Sequence, residues 1–519
     1  MKKYIALFII HYSLFIIHYS LFIIQCNAQN KSGYSFVFGI NGQIANFVGD
    51  TSRPTTRQLF YNGQSPNYPY IFAKGHSNIC DSASGKLLLL CNGMQLFDTL
   101  GNIVENGDTL VPFKPYNHNF YHHSTSPQSS LILPKGNNGE YYVFITTLSD
   151  TSYDKWTQPS ASIAPNDMLL YNVVDMNANG GMGKVTKKSI PLLTNTEMSR
   201  TGMQTCRHSN GVDWWLLKKT GLEENNITSF LVTKDSILGP FYQTFTEPNY
   251  EIFDAYGQSC FSKDGKKYAQ VFGKSNKLFM ADFDRCTGEL SNPKVYTIPI
   301  DSSGTPQLDV NGYRDSLVCG GCFSPNGNYF YITRRYNIYQ FEYNEPDSSL
   351  AWYHVKQGMD TTWGNFEYYF SLQLGIDNRI YIGKEGGSFK QLSVIDKPDE
   401  KGVACSFCRK CLRIDNGAGG SSTLSNIPDF NLGADSSKPC YPLHNYELQI
   451  TNYELEVYPN PSSEKFYIKC KNSNSKKDLF NSVGQLIIST KESEIDVSRL
   501  PSGLYFIKCE GVSKKVIAK

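Results

Sequence analysis

Cys322-Phe323-Ser324-Pro325-Asn326-Gly327-Asn328-Tyr329-Phe330-Tyr331-Ile332-Thr333 decides how the rest of the chain is read. A short polar step ends in Asn-Gly and feeds a run of aromatic and β-branched residues. Asn-Gly tolerates the positive φ of a tight hairpin turn, and the run after it suits a pleated, half-buried strand. The stretch therefore predicts a β-hairpin.

Its frame recurs. Cys80 to Gly85 precedes Lys86-Leu87-Leu88-Leu89-Leu90, Cys206 to Gly211 precedes Trp214-Trp215-Leu216-Leu217, and Cys260 to Gly265 precedes Tyr268-Ala269-Gln270-Val271-Phe272. Each has Cys, four residues, Gly, then an apolar run. Two looser copies lack the cysteine: Leu131 to Gly139 before Tyr141–Ile145, and Leu374 to Asn378 before Ile380-Tyr381-Ile382. Second hairpins lie between the echoes, as at Lys277–Phe283 and Asn337–Tyr343. Spacings of roughly fifty to seventy residues fit four-stranded blades with some long loops. One such blade cannot bury both faces of its sheet, whereas blades stacked radially can. The expected class is all-β: a β-propeller of six or seven blades over residues 32–433, with the Tyr34-Ser35-Phe36-Val37-Phe38-Gly39 strand completing the last blade.

Length and composition agree. At 519 residues the chain exceeds one ordinary core; 18% charged and 13% aromatic residues, with 42 Gly and 24 Pro, suit many short strands joined by turns. A net charge of +2 supplies no strong field for nucleic acid or an acidic membrane.

The first 28 residues read as an export signal. Lys2 and Lys3 form the positive end, and the heptad Leu7–Ser13 is copied at Leu14–Ser20 and again, decayed, at Leu21–Asn27. Cys26-Asn27-Ala28 offers cleavage before Gln29. An uncleaved anchor is disfavoured by His11, His18 and the serines inside the apolar stretch, Ser13 and Ser20, and a lipoprotein cysteine at Cys26 by the Gln25 before it. The mature chain is expected to have no transmembrane segment.

After the blades, Asp435-Ser436-Ser437-Lys438-Pro439 opens a linker over 434–452. Short strands then recur at Phe466–Lys469, Gln485–Ile488, Leu504–Ile507 and Lys515–Ile517, which predicts a small immunoglobulin-like β-sandwich tail over 453–519. The tail resembles the type A C-terminal sorting domain of the type IX secretion system of Bacteroidetes. The carriers are Val457-Tyr458-Pro459-Asn460-Pro461, Phe480-Asn481-Ser482-Val483-Gly484-Gln485, Asp496–Tyr505 and the basic strand to Lys519. That resemblance implies the secretion machinery as partner, passage to the cell exterior, and release or attachment at the surface. The body is similar to secreted WD40-like and quinoprotein-like propellers. Phe36–Gly39, Pro127–Pro134, Val173–Met176, Phe323–Gly327 and Leu374–Tyr381 carry the likeness, without the Trp-Asp ending of true WD40 blades. It implies no enzymatic activity.

Thirteen cysteines remain once Cys26 is removed from the 14. Blade-equivalent positions in different blades are expected to be too far apart for a disulfide, which needs Cα atoms within about 7 Å. Cys80, Cys206, Cys260 and Cys322 therefore read as small buried hydrophobes on inner strands, with Cys80 in reach of Cys91 across its own hairpin. Cys319-Gly320-Gly321-Cys322 has redox spacing but precedes a strand, not the helix that lowers a thiol pKa. Cys405, Cys408 and Cys411 have ferredoxin-like spacing, with Asp415 where a fourth ligand belongs; a loop disulfide among them, with Cys440 as a further partner, is expected instead.

His76, His118, His122 and His123 lack a carboxylate or cysteine at helpful spacing and read as polar loop residues. Tyr141, Tyr142, Trp214, Trp215, Tyr329 and Tyr331 fall in predicted strands and read as packing residues. The chain has no Gly-x-Ser-x-Gly elbow, calcium loop or phosphate-binding loop, and Ser262-Lys263-Asp264-Gly265 is not a sialidase box. No catalytic, cofactor-binding or metal residue is assigned, and no cofactor is expected. Asp followed by Ser or Thr and a small apolar residue or Thr, at Ser82, Thr99, Thr109, Ser236, Ser316 and Thr361, resembles the O-glycosylation site of exported Bacteroidetes proteins; chance would give on the order of two matches. The expected function is a secreted or surface-attached binding protein for a glycan or protein. The alternatives are an extracellular hydrolase, lyase or quinoprotein with a site assembled from several blades, and a structural or adhesion component.

Overall fold

The structure is a computed structural model. It describes residues 30–518 except 41–42, 48–52, 59–70, 73, 119–123, 125, 158–165, 222–225, 246–256, 274, 300–317, 335, 348–349, 357–367, 386–388, 419–422, 436–439, 441–454, 471–473, 482–485 and 510–511. The export signal, most of the linker, His122, His123, Ser316 and Thr361 lie outside the described residues. The chain divides into two compact units, Met1–Cys440 and Tyr441–Lys519.

The first unit contains seven antiparallel sheets in chain order, taken here as blades one to seven. Blade one is Ser35–Ile40, Gln43–Asn46 and Thr55–Gln58, with Ile71–Phe72 on the other side of the first strand. Blade two has three described strands, Ser77–Cys80, Leu87–Cys91 and Leu96–Phe97. The other five have four strands each, and their inner strands are Ser130–Pro134, Gln204–Arg207, Ser259–Phe261, Val318–Phe323 and Tyr368–Leu374. Each blade packs on the next in sequence, and blade seven packs on blade one, so the array closes as a propeller.

The repeated frame is the turn from the inner strand to the second one. In four blades its glycine adopts nearly one conformation, with φ of 73° at Gly85, 73° at Gly211, 70° at Gly265 and 73° at Gly327. At Gly265 a Cβ would stand 2.6 Å from Leu432 and 2.9 Å from the Cys206 sulfur, so the site demands glycine twice over. Side chains close the same turns: Ser262 donates to Asp264 at 2.6 Å, and Ser324 to Asn326 at 2.8 Å. The looser copies use positive φ at Gly139 and Asn378. The second strands supply the core, among them Leu89, Phe144, Leu216, Ala269, Ile332 and Ile382, all fully buried.

Two expectations fail. The Tyr34–Gly39 segment does not complete the last blade; it begins blade one, and blade seven takes its outer strand from Phe407–Ala418. The first and last blades are clasped instead by ions: Arg53 meets Asp396 at 2.6 Å, Arg379 meets Asp396 at 3.1 Å and the buried Asp377 at 2.9 Å. Cys80 also does not reach Cys91, because the hairpin register sets Cys80 opposite Leu87 and Cys91 opposite Ser77.

The second unit is a sandwich of two antiparallel sheets. One is Glu456–Tyr458, Lys465–Lys469 and Glu494–Asp496; the other is Leu486–Thr490, Lys477–Asn481, Gly503–Cys509 and Val512–Ala518. Alternation places Phe466, Leu479, Ile507 and Val516 inside, all fully buried.

Candidate functional site: the axial cavity

The propeller axis is filled by the chain itself. Thr423–Leu432, after the last strand of blade seven, runs down the middle of the ring. Ser425 Oγ accepts from the Val37 amide at 2.9 Å and donates to the Val37 carbonyl at 2.8 Å, so it continues the inner edge of blade one. Asn426, 4% exposed, is the hub. Its backbone N–H donates to the His76 carbonyl at 3.0 Å. Its side-chain amide donates to the carbonyls of Ser130 at 3.1 Å and Met203 at 3.0 Å, and its oxygen accepts from Gln128 at 3.4 Å and Gln204 at 3.2 Å.

Buried glutamines complete the hub. Gln128 donates to the Ser259 carbonyl at 2.8 Å and accepts from the Ser259 amide at 2.9 Å. Gln258 does the same to Leu372, at 2.6 and 3.0 Å. Each amide thus substitutes for one residue of a neighbouring strand, meeting the donors and acceptors that inner edges leave open.

Below the hub the plug is anchored to blades four and five. Phe430 packs edge-on against Trp214 with centroids 5.6 Å apart, and the Arg207 guanidinium lies 4.0 Å over the Trp214 ring. Arg207 donates to the Phe430 carbonyl at 3.3 Å, Arg285 donates to the Gly433 carbonyl, and the sulfurs of Cys286 and Cys440 are bonded.

Between Ile427–Leu432 and the inner strands of blades four to seven lies a cavity of about 150 Å³. Its apolar wall includes Phe36, Leu372, Leu374 and Ile376, and Thr205, Arg207, Lys263 and Asp429 give it polar and charged groups. The Thr205 hydroxyl and the Arg207 Nε are buried without a hydrogen-bond partner. Burial raises the Asp429 carboxyl above its ordinary pKa, against the pull of Lys263 and Arg207. Burial also lowers the Arg207 guanidinium to about 10.

Three repeat cysteines, Cys206, Cys260 and Cys322, stand in the same wall. Their thiols are spacers between blades. Cys206 contacts the blade-five carbonyl of Gly265 at 3.9 Å, Cys260 the blade-six backbone at Phe323, and Cys322 the blade-seven backbone at Leu374. Burial raises all three, Cys322 to about 12, which leaves almost no nucleophilic thiolate. Gly320 and Gly321 of the redox-spaced motif serve close packing: a Cβ on the first would stand 2.4 Å from the Phe370 carbonyl, and one on the second 2.7 Å from Val271.

The sulfurs of Cys408 and Cys411 lie together, and Cys405 is buried outside any sulfur pair. Cys440 does not join them; the plug carries it to blade five and Cys286. In the tail, Cys470 pairs with Cys509. His76 is buried against the Val37 carbonyl at 2.7 Å, and His118 ends a short helix, Phe113–His118. Among the described residues no group of three His, Cys, Asp or Glu is placed to hold a metal ion. Tyr142, Trp214, Trp215 and Tyr331 are buried and Tyr141 and Tyr329 half-buried, as packing residues should be. Sequence reading missed Gln128, Gln204, Gln258 and Asn426. One signal was there: Gln204-Thr205-Cys206 and Gln258-Ser259-Cys260 repeat glutamine two residues before cysteine.

Residues 456–519 match the family described as the secretion system C-terminal sorting domain. No curated protein matches the chain. Solved structures with some likeness include a protein from Lactobacillus plantarum at 10% identity and TM-score 0.39, covering 76% of this chain and 99% of that one. Another is the Pseudomonas aeruginosa periplasmic gluconolactonase at 10% and 0.36, covering 94% and 99%. A third is PorZ, a surface component of the Porphyromonas gingivalis type IX system, at 11% and 0.29, covering 94% and 74%. At these scores none carries an argument about this chain. The tail match does: it marks a type IX cargo, secreted or held at the outer cell surface. No described helix is long and apolar enough to cross a membrane.

Proposed function

From the premise that residues 456–519 are a type IX sorting domain, we propose that the chain is a secreted or surface-attached, non-catalytic binding propeller, with a glycan or protein ligand held at one mouth. The observation that carries this reading is the plug. An enzyme assembled from several blades needs polar groups converging on the axis, and here the converging amides of Gln128, Gln204, Gln258 and Asn426 are spent on one another and on backbone. The free thiols nearby are held protonated. What stays open is a small cavity with mixed polar and apolar walls, suited to holding a ligand.

The remaining parts fit an exported chain: a signal cleaved after Ala28, a propeller over 32–433, a linker over 434–452, a tail over 453–519, and the three sulfur pairs as disulfides of an oxidising compartment. The test is a paired screen of the purified protein. Binding is read on glycan arrays and cell-surface extracts, and turnover on polysaccharide and lactone panels with and without pyrroloquinoline quinone. Saturable binding with no turnover is expected. Turnover that survives repurification would replace this reading with the enzymatic one, and surface attachment lost on deletion without any soluble ligand would replace it with the adhesion one.

A further inference from the structure

The sheet edges of the tail are finished unequally, and the difference marks an interaction surface. Two open sheets have four edge strands, each with backbone N–H and C=O groups that another strand could pair with. Three of the four are closed. In the smaller sheet, Glu456–Tyr458 is 3 residues long and runs into Pro459 and Pro461, and Glu494–Asp496 is 3 residues long with an acid at each end. In the larger sheet, Val512–Ala518 carries Lys514 and Lys515 and is already capped: the Ile517 amide donates to Asn460 Oδ1 at 2.9 Å, and the Ser462 amide donates to the Ile517 carbonyl at 3.0 Å. Short strands, charges, prolines and caps keep an edge from pairing with another chain.

Leu486–Thr490, the fourth edge, is open. Residues 481–490 contain no ionisable side chain and no proline. Among the described residues its backbone pairs only with Lys477–Asn481. The ladder skips Ile487, and Leu486 and Ile487 both reach solvent, 48% and 37% exposed. Leu486 stands opposite Phe480, and Phe480 opposite Phe506, itself 36% exposed, so an apolar row runs inward from the edge across three strands.

A row of unpaired amides and carbonyls is met by another extended backbone, a repeat that a glycan or a lipid headgroup does not offer. The uncharged edge and its apolar row fit a partner strand with apolar side chains. The match of residues 456–519 to a secretion sorting domain says which proteins must hold this tail. We propose that Leu486–Thr490 is the recognition edge of the tail: a protein of the type IX secretion machinery adds one extended strand to it and seats side chains on Leu486, Phe480 and Phe506.

The test uses the full chain expressed in a host with the type IX system. Ile487→Lys and Ser489→Lys each place a charge on the open edge; both positions are exposed, and a lysine at 489 can replace the bond that Ser489 makes to Asp478. Tyr467→Lys, at an exposed position on the other sheet, is the matched control. Secretion is read by fractionation and immunoblot, and tail folding by hydrogen exchange over Gly503–Cys509 in the purified protein. Secretion should fall roughly tenfold or more in both edge variants, as burying an unpaired charge in an interface implies, with exchange unchanged. Tyr467→Lys should be secreted like wild type. A photo-reactive side chain at position 487 should crosslink to a machinery protein, and one at 467 should not.

Wild-type secretion of both edge variants overturns the proposal, and so does an equal loss in Tyr467→Lys. Where exchange shows that a lysine loosens the sandwich, the crosslink decides: an adduct at 487 with a second copy of this chain or with lipopolysaccharide, or no machinery adduct there, overturns it. None of these results bears on the binding reading of the propeller, which stands or falls on its own screen.

Discussion

Lys218 gives the sharpest quantitative test of the body. It lies in the fully buried strand Trp214–Thr220, is 0% exposed, and donates to the Thr201 carbonyl at 2.6 Å. Burial lowers its amine from the ordinary 10.5 to about 7. At about 1.4 kcal/mol per pH step, the gap sets an upper bound of roughly 5 kcal/mol on the penalty for folding around it at or below pH 7. Between pH 7 and 10.5 Lys218 is more protonated in the unfolded chain than in the folded one, so its own contribution to stability rises through that window; the buried thiols of Cys80, Cys91, Cys206, Cys260 and Cys322, raised by burial, act in the opposite sense above about pH 8.5, so the readout is the difference between variant and wild type. Lys218→Met keeps the length of the side chain and removes the charge; the Thr201 carbonyl keeps the Ser199 hydroxyl as a donor at 2.7 Å, so the lost hydrogen bond is worth about 1 kcal/mol. The variant should therefore be more stable than wild type by up to about 4 kcal/mol at pH 6, with the advantage gone by pH 10. All 5 tryptophans lie before residue 364, so tryptophan fluorescence in urea reports the propeller and not the tail. Equal stability of the two proteins at pH 6, or an advantage of the variant that does not shrink between pH 7 and 10, would refute the reasoning.

Asn426→Ala strands two backbone carbonyls and two glutamine donors at the axis, and should lower stability by about 2–4 kcal/mol in the same urea assay, with the unfolding slope unchanged. Arg53→Ala opens the clasp between blades one and seven; Arg53 and Asp396 are partly exposed, so the loss should be about 1 kcal/mol and shrink at 1 M salt. Removal of residues 456–519 should leave the protein inside the cell envelope, read by fractionation and immunoblot, while the tryptophan unfolding midpoint stays where it was. Ser82, Thr99 and Ser236 are exposed and Thr109 half-exposed, so native protein should be heavier than its sequence, and alanine at the first three sites should remove mass in steps seen by intact-protein mass spectrometry.

What the sequence made legible was local. The Cys-x4-Gly frame announced itself because one backbone conformation, φ near 70°, recurs at one place in each blade and glycine satisfies it at no steric penalty. The tail was readable because its motifs fall within about sixty residues. The hub was not legible, because its pairings are non-local: Asn426 binds residues 296 and 223 positions away, and Cys286 pairs 154 positions away. Thr423–Pro428 shows no sustained alternation, since a segment buried on all sides has no inside and outside face to encode. The Tyr34 strand was assigned to the wrong blade for a related reason. Its apolar alternation states that it is a strand, but pairing is set by which edge remains open, and Phe407–Ala418 already fills the outer edge of blade seven.

The plug also constrains where recognition can occur. A ring closed only by sheet packing would leave inner-strand amides and carbonyls facing a wet channel. Here side-chain amides cap them in pairs, and each pair bridges different blades: Gln128 ties blade three to five, Gln258 ties five to seven, Asn426 ties two, three and four. Stripping one member leaves buried polar groups in several blades at once, so the axis resists remodelling by a ligand. The cavity sits just past this hub, where Arg207 and Phe430 hold the plug against blade four and Lys263 and Asp429 stand among the lining groups. A rigid floor of shared amides beneath a small opening with mixed polar and apolar walls is a preorganised setting, in which a guest orders little of the protein on arrival. Rigidity at the axis and openness at its rim are therefore two consequences of one segment returning through the ring.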